Sequence, residues 1–373
     1  MRYLVSMFAV AALLGFSSNL AAQQADDGRP VIQIAILLDT SNSMDGLINQ
    51  AKSQLWRIVS ETARARRDGY EPRLEVALYE YGNDSLSLLS GYVRMVVPFT
   101  SDLDMFSGYL FSLDTNGGSE FAGRVILSAV RDLDWTRDRR SLRLMYIAGN
   151  EPFTQGNVNY VRAATDARER DIIVNTIFCG DYYEGVQTFW QDGARVGGGR
   201  YLNIDSDYEQ VYIPAPQDDR LRQLNMMLND TYLGYGALGD EKKQMQEDQD
   251  GNASGMGMSS LLDRTSVKSS SHYSNSEWDL VDAYAEGELS MEEMPAAQLP
   301  PEMRTMNPGE REAYVMEKQR ERAEIQAEIQ SLSSDRDVYL AAERAARDVE
   351  RTLDSAIIDT LREAATGHGF VFE

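Results

Sequence analysis

Apolar residues recur along this chain in two rhythms. Long apolar runs stand at VIQIAILL (31–38), LEVALYEY (74–81), VRMVVPF (93–99), LRLMYIA (142–148), DIIVNTIFC (171–179) and RYLNI (200–204). Near-continuous runs of this length predict strands covered on both faces. Between them the apolar positions take helical spacing. Leu47, Ala51, Leu55, Ile58 and Val59 make one stripe, and Phe121, Val125, Ile126 and Ala129 another. Residues 161–170, 185–191 and 220–233 read as further helices. Alternating strands and helices predict an α/β fold, a Rossmann-like, doubly wound, mostly parallel sheet over 31–236. VRMVVPF follows LEVALYEY after a short loop with no room for a crossover helix. It is therefore expected as one antiparallel edge strand.

Beyond residue 236 the pattern changes. Residues 237–276 are rich in Ser, Gly and charge and poor in large apolar residues, which predicts a flexible linker. Residues 277–306 read as short helices, with capped starts at Ser276 and Ser290, and a connection broken by Pro295, Pro300 and Pro301. Asn307-Pro308-Gly309-Glu310 has the cap, the first-turn proline and the acidic third residue of a helix start. It opens a C-terminal helical region, 307–367. A second helix is expected from Ser334, with Val338, Ala342, Ala345, Val349, Leu353, Ile357 and Leu361 as its apolar stripe and Gly367 as its stop. Arg and Glu interrupt the heptads too often for a long coiled coil. The stripe needs a partner: a helical hairpin, the first domain, or a second copy in a homo-oligomer.

Charge narrows the function classes. With 36 basic and 59 acidic residues the net charge is -23, which disfavours nucleic acid and anionic lipid and favours divalent cations. Arg2, the apolar stretch 3–16 and the small residues up to Ala22 read as a signal peptide over 1–22, so a periplasmic or secreted protein is expected. No later segment approaches a membrane span. Cys179 is the sole cysteine, so no intramolecular disulfide forms, and its apolar setting makes it a buried small hydrophobe. His272 and His368 are the only histidines, which argues against a Ser-His-Asp triad or a histidine zinc centre. The sequence thus argues against an enzyme. A metal-dependent hydrolase stays open as an alternative.

The candidate chemistry lies where the first strand ends. In DTSNSM (39–44), Asp39, Ser41 and Ser43 offer one anionic and two neutral oxygens on a loop before a helix. Hard divalent cations take oxygen ligands, and one carboxylate with two hydroxyls leaves the ion with residual positive charge. A plainer reading is that both serines cap the helix and Asp39 closes the turn.

Here the sequence resembles the von Willebrand factor A-type (VWA) domain family. The resemblance covers roughly 31–236. It rests on Asp39-x-Ser41-x-Ser43 after VIQIAILL, on NGGSEFAGRVILSAV (116–130) and on LRLMYIAGNEPF (142–153). IAGNEPFTQG, LNDTYLGYG and SNSEWDLVDAY are similar to exported bacterial proteins of this family. The resemblance implies a metal-ion-dependent adhesion site holding Mg2+ or Mn2+, completed by a carboxylate of a protein partner. Asp39, Ser41 and Ser43 match the first metal loop. Ser119 falls where the family has a metal-binding Thr, with Glu120 and Thr115 as nearby alternatives. The third loop departs, because Gly149 stands where an Asp is usual. Asn150 or Glu151 is the substitute, and Glu151 is taken as an outer ligand. If neither serves, the site is vestigial and the protein a structural scaffold.

Overall fold

The computed structural model describes residues 28–204, 212–287, 289–346 and 353–372. The expected signal peptide, 1–22, lies outside them. The strands are β1 (Val31–Asp39), β2 (Ala65–Arg66), β3 (Arg73–Tyr81), β4 (Val93–Thr100), β5 (Leu142–Gly149), β6 (Ile172–Cys179), β7 (Gly198–Ile204) and β8 (Val371–Phe372). The helices are α1 (Ile48–Thr62), α2 (Leu103–Ser112), α3 (Ala122–Asp132), α4 (Tyr160–Arg168), α5 (Tyr182–Gln187), α6 (Trp190–Val196), α7 (Asp218–Asn229), α8 (Gly239–Met256), α9 (Met258–Lys268), α10 (Leu280–Ala285), α11 (Pro308–Ala346) and α12 (Leu353–Gly367).

Six strands form one sheet in the order β4-β3-β1-β5-β6-β7, parallel except for β4, which runs antiparallel to β3 at the edge. This is the expected architecture. Every residue of the central strand β1 is buried. Its side chains alternate between two cores, as the period of a strand requires. Ile32, Ile34, Ile36 and Leu38 join α1, α2 and α7, whereas Ala35 and Leu37 join α3, α4 and α6. Each such aliphatic side chain contributes about 1.5–3 kcal/mol on burial, so β1 is pinned from both faces and its C-terminal end is a rigid platform. Among the described residues, no helix is long and apolar enough to cross a membrane.

Residues 237–276 are not a linker. They form α8 and α9, which pack on α2, α1 and α7. Few apolar residues are needed because charge is buried in matched sets. Arg264 Nη2 donates to Asp104 Oδ1 at 2.6 Å and its Nε to Asp250 Oδ1 at 2.6 Å, while Lys268 Nζ donates to Asp250 Oδ2 at 2.8 Å. A composition rich in charge and poor in large apolar residues is ambiguous until its charges find partners. Asp250, in a stretch that faintly suggests a calcium loop, is one member of this network.

The tail departs from expectation in its helices. α11 runs through Ser334 without a break. Its buried residues include Arg311, Val315, Arg322, Ile325, Ile329, Ser333, Arg336 and Leu340, whereas Val338 is 69% exposed. The buried face is set by the arginines. Arg322 donates to Asp279 and Asp282 at 2.7 and 2.6 Å, and Arg336 to Asp218 at 2.7 Å. A stripe counted from apolar residues alone misses a face built on buried guanidinium groups. Val349 lies outside the described residues. α12 folds back on α1 and β7, with Leu361, Ala365 and Phe370 fully buried in the β1 core and β8 paired to β2. The tail thus completes the first domain.

Two short-helix expectations also shift. The helix expected after Ser276 begins at Leu280, capped by Asp279, whose side chain accepts from the Asp282 amide; Ser290 leads into a turn. The start at Pro308 is as expected. Asn307 Oδ1 accepts from the Glu310 amide at 3.0 Å, and the Asn307 amide donates back to Glu310 Oε2 at 2.8 Å. This reciprocal pair satisfies two orphan donors of the first turn. Asn307→Ala is expected to cost about 1 kcal/mol of unfolding free energy in urea titration.

Candidate metal centre

Three strand ends meet at one level. Asp39 of β1 pairs in register with Tyr81 of β3, and Leu38 with Ala148, which precedes Gly149 at the end of β5. Carboxyl ends of parallel strands face a crevice, and three loops converge there. The Asp39 side chain is fully buried. Its Oδ1 accepts from the Ser41 amide at 2.8 Å, while Oδ2, also buried, has no hydrogen-bond partner. Glycines flank both oxygens. A Cβ on Gly82 would lie 2.6 Å from Oδ1, and one on Gly149 would lie 2.9 Å from Oδ2 and 2.5 Å from the Tyr81 hydroxyl. Gly149 is therefore fixed by close approach. Tyr81, which donates to the Ala148 carbonyl at 3.0 Å, fills the space that a side chain at 149 would need. A tyrosine-glycine pair at the end of the neighbouring strand was the signal for this, and reading β1 alone passes over it.

The serines sit as expected on the loop after β1. Ser41 is buried and Ser43 exposed, with their hydroxyl oxygens 2.8 Å apart. Ser43 Oγ donates to Asn150 Oδ1 at 2.8 Å, and Asn150 Nδ2 donates to the Ser43 carbonyl at 2.8 Å. Of the two substitutes for the missing aspartate, Asn150 thus clamps the third loop to the first. Glu151 is half-buried, and its backbone carbonyl accepts from the Trp190 indole at 2.8 Å. Its charge acts on both Asp39 and Glu120.

The second loop turns a different residue inward. Glu120 is 6% exposed, its amide donates to Gln155 Oε1 at 2.6 Å, and its Cγ lies 2.9 Å from the Gly82 Cβ position that also faces Asp39. Ser119 is half-buried, and no hydrogen bond joins its side chain to Asp39, Ser41 or Ser43. Thr115 instead donates to Asp45 on the far side of the loop.

Electrostatics in the crevice favour a cation. Burial, together with the charges of Glu120 and Glu151, pushes the Asp39 carboxyl up to about 7, against the lowering pull of Ser41. Glu120 is also raised, by burial and then by Glu151, with Ser41 and Gln155 acting in the opposite sense. Among the described residues, no three His, Cys, Asp or Glu side chains come together as a ligand group. Any ion here must therefore use the serine hydroxyls. The orphaned Asp39 oxygen, the adjacent hydroxyl pair and the inward carboxylate make a donor set of hard oxygens, which fits Mg2+, Mn2+ or Ca2+. Beside the centre lies a cleft of about 600 Å³ lined by Asn83, Arg94, Asp114, Thr115 and Asn116.

A sheet with this strand order, one antiparallel edge and an Asp-x-Ser-x-Ser loop leaving its central strand decides the fold. It is a von Willebrand factor A-type fold. No protein-family model and no curated protein matches this chain. Solved structures do. The conserved hypothetical protein BatB from Bacteroides thetaiotaomicron is 20% identical, over 47% of this chain and 90% of its own, with a TM-score of 0.37. The SpRpn10 VWA domain is 15% identical over 48% of this chain and 89% of its own, with a TM-score of 0.37. Proximal thread matrix protein 1 from the mussel byssus, in a structure with a zinc occupied MIDAS motif, is 10% identical over 48% of this chain and 42% of its own, with a TM-score of 0.35.

Trp190 is buried, whereas Tyr182 and Tyr183 are exposed. Cys179 is buried and its thiol is pushed up by burial and by Asp39. Gly197 leads into β7, which begins at Gly198.

Proposed function

We propose that this is an exported protein-binding module, periplasmic or secreted, that holds a divalent cation, Mg2+ or Mn2+, at the end of β1 and meets a carboxylate of a protein partner through it. The observation that carries the reading is the buried, unpartnered Asp39 Oδ2 beside the paired hydroxyls of Ser41 and Ser43. An unpaired carboxylate oxygen in a dry crevice is costly unless a cation compensates it. Asp39 is the charged ligand, Ser41 and Ser43 are hydroxyl ligands, the second loop supplies one further oxygen and Glu151 is the outer group. The adjoining cleft gives a partner's segment room beside the ion. Catalysis is not part of the reading.

The test uses the full chain, because α12 and β8 complete the core. Mg2+ or Mn2+ at a hundredfold excess over Kd should stabilise the wild type by about 2.7 kcal/mol, seen as a rise in Tm. Asp39→Ala should abolish the response. It should unfold no more easily than the wild type in chelator, because it removes a buried charge near two other carboxylates. An equal rise in both proteins sinks the metal reading and leaves a scaffold with a vestigial site.

A further inference from the structure

We infer that Glu120, rather than Ser119, is the residue by which the second loop holds the cation. The inference rests on the metal reading above and deepens it. Glu120 follows the expected position by one residue, and that single step reverses which side chain enters the crevice. The cause is local. The Asn116 amide donates to the Thr40 carbonyl at 3.0 Å, and the Gly117 amide to Asn42 Oδ1 at 2.7 Å, which ties the second loop to the first. The backbone then passes Gly118 at φ +133, where an added Cβ would lie 1.6 Å from the Gly82 carbonyl oxygen. Gln155 Oε1 accepts the Glu120 amide at 2.6 Å. These restraints bury Glu120 at 6% exposure and set its Cγ and Asp39 Oδ1 against the same point, 2.9 and 2.6 Å from the Gly82 Cβ position. The Ser41 amide donates to Asp39 Oδ1 at 2.8 Å, on the same loop. The fully buried Asp39, with Oδ2 unpartnered, is the independent sign that this carboxylate pair is built around something absent from the protein itself.

The substitution has a consequence for recognition. With Asp39 as its sole anionic ligand, a divalent ion keeps one positive charge toward a partner. With Asp39 and Glu120 together the charge is balanced. The partner's carboxylate is then held by the open coordination position more than by net charge. The larger, more acidic ligand set also suits Ca2+ better than a one-carboxylate site does.

Mn2+ and Ca2+ titrations of the full chain by calorimetry test this, alongside Glu120→Gln and Ser119→Ala. Glu120→Gln keeps size and shape, and its Tm in chelator reports folding independently. The expected result is a loss of about tenfold or more in Mn2+ affinity for Glu120→Gln, with Ser119→Ala within about twofold of wild type. Ca2+ affinity should fall further than Mn2+ affinity in Glu120→Gln. A loss confined to Ser119→Ala overturns the assignment of Glu120 while leaving the metal reading intact. No heat and no thermal shift for either ion in the wild type overturns both.

Discussion

Arg264→Met should lower the unfolding free energy by about 3–5 kcal/mol, measured as a shift in the urea midpoint with unchanged slope. The guanidinium is 1% exposed and joins three elements. It bonds Asp104 on α2 and Asp250 on α8, and its Nη2 also donates to the Gln246 carbonyl at 3.1 Å. Removing it leaves two carboxylates buried, with Lys268, Asn225 and Asn229 still serving Asp250 and Tyr273 still serving Asp104. The remaining partners cannot offset the lost charge. Arg220→Ala, which breaks an exposed pair with Glu328, should be close to neutral by comparison. Acid should narrow the Arg264 difference. Burial alone would raise the Asp250 carboxyl, but Lys268 and Arg264 overcome it and hold it well below the usual carboxylate range. A folded-state value below the unfolded one means stability present above about pH 4 and lost as the pH falls through the folded value. The two proteins should converge as Asp250 protonates. If 237–276 were a linker, Arg264→Met would leave the midpoint unmoved.

Gly149→Asp, the change that restores the aspartate usual in the third loop, is expected to destabilise by about 3 kcal/mol or more. The new Cβ would stand 2.5 Å from the Tyr81 hydroxyl and 2.9 Å from Asp39 Oδ2. Its carboxylate would add a charge to a crevice where Glu120 and Glu151 already raise Asp39. Two relief routes separate these causes. Tyr81→Phe removes the oxygen in the way and should recover part of the loss in chelator. Excess Mn2+ should recover part of it in the double variant by neutralising the added charge. A Gly149→Asp protein that melts with the wild type would mean that Asp39 is not wedged between the two glycines.

The site was legible in outline and not in detail. DTSNSM after an apolar run marks the end of a strand, because a long buried run gives way there abruptly to oxygens. The adjoining residues Ser119 and Glu120 look alike to a reading of spacing. Which one faces inward depends on how loop 115–120 is tied to Thr40 and Asn42, and those bonds join segments more than seventy residues apart. Gly149 reads as a missing ligand in the sequence and as a contact requirement in the structure, since Tyr81 belongs to another strand.

The sequence by itself determined the six strands, the antiparallel edge, the cap at Asn307 and the loop that carries Asp39, Ser41 and Ser43. These follow from apolar periodicity and short-range hydrogen bonding, which neighbouring residues specify. Only the tertiary structure decided that 237–276 folds, that α11 buries arginines, that α12 returns to the β1 core and that Glu120 turns toward Asp39. Each depends on a charge or a loop finding its partner far along the chain, and a buried ion pair has no signature in composition until both halves are in place.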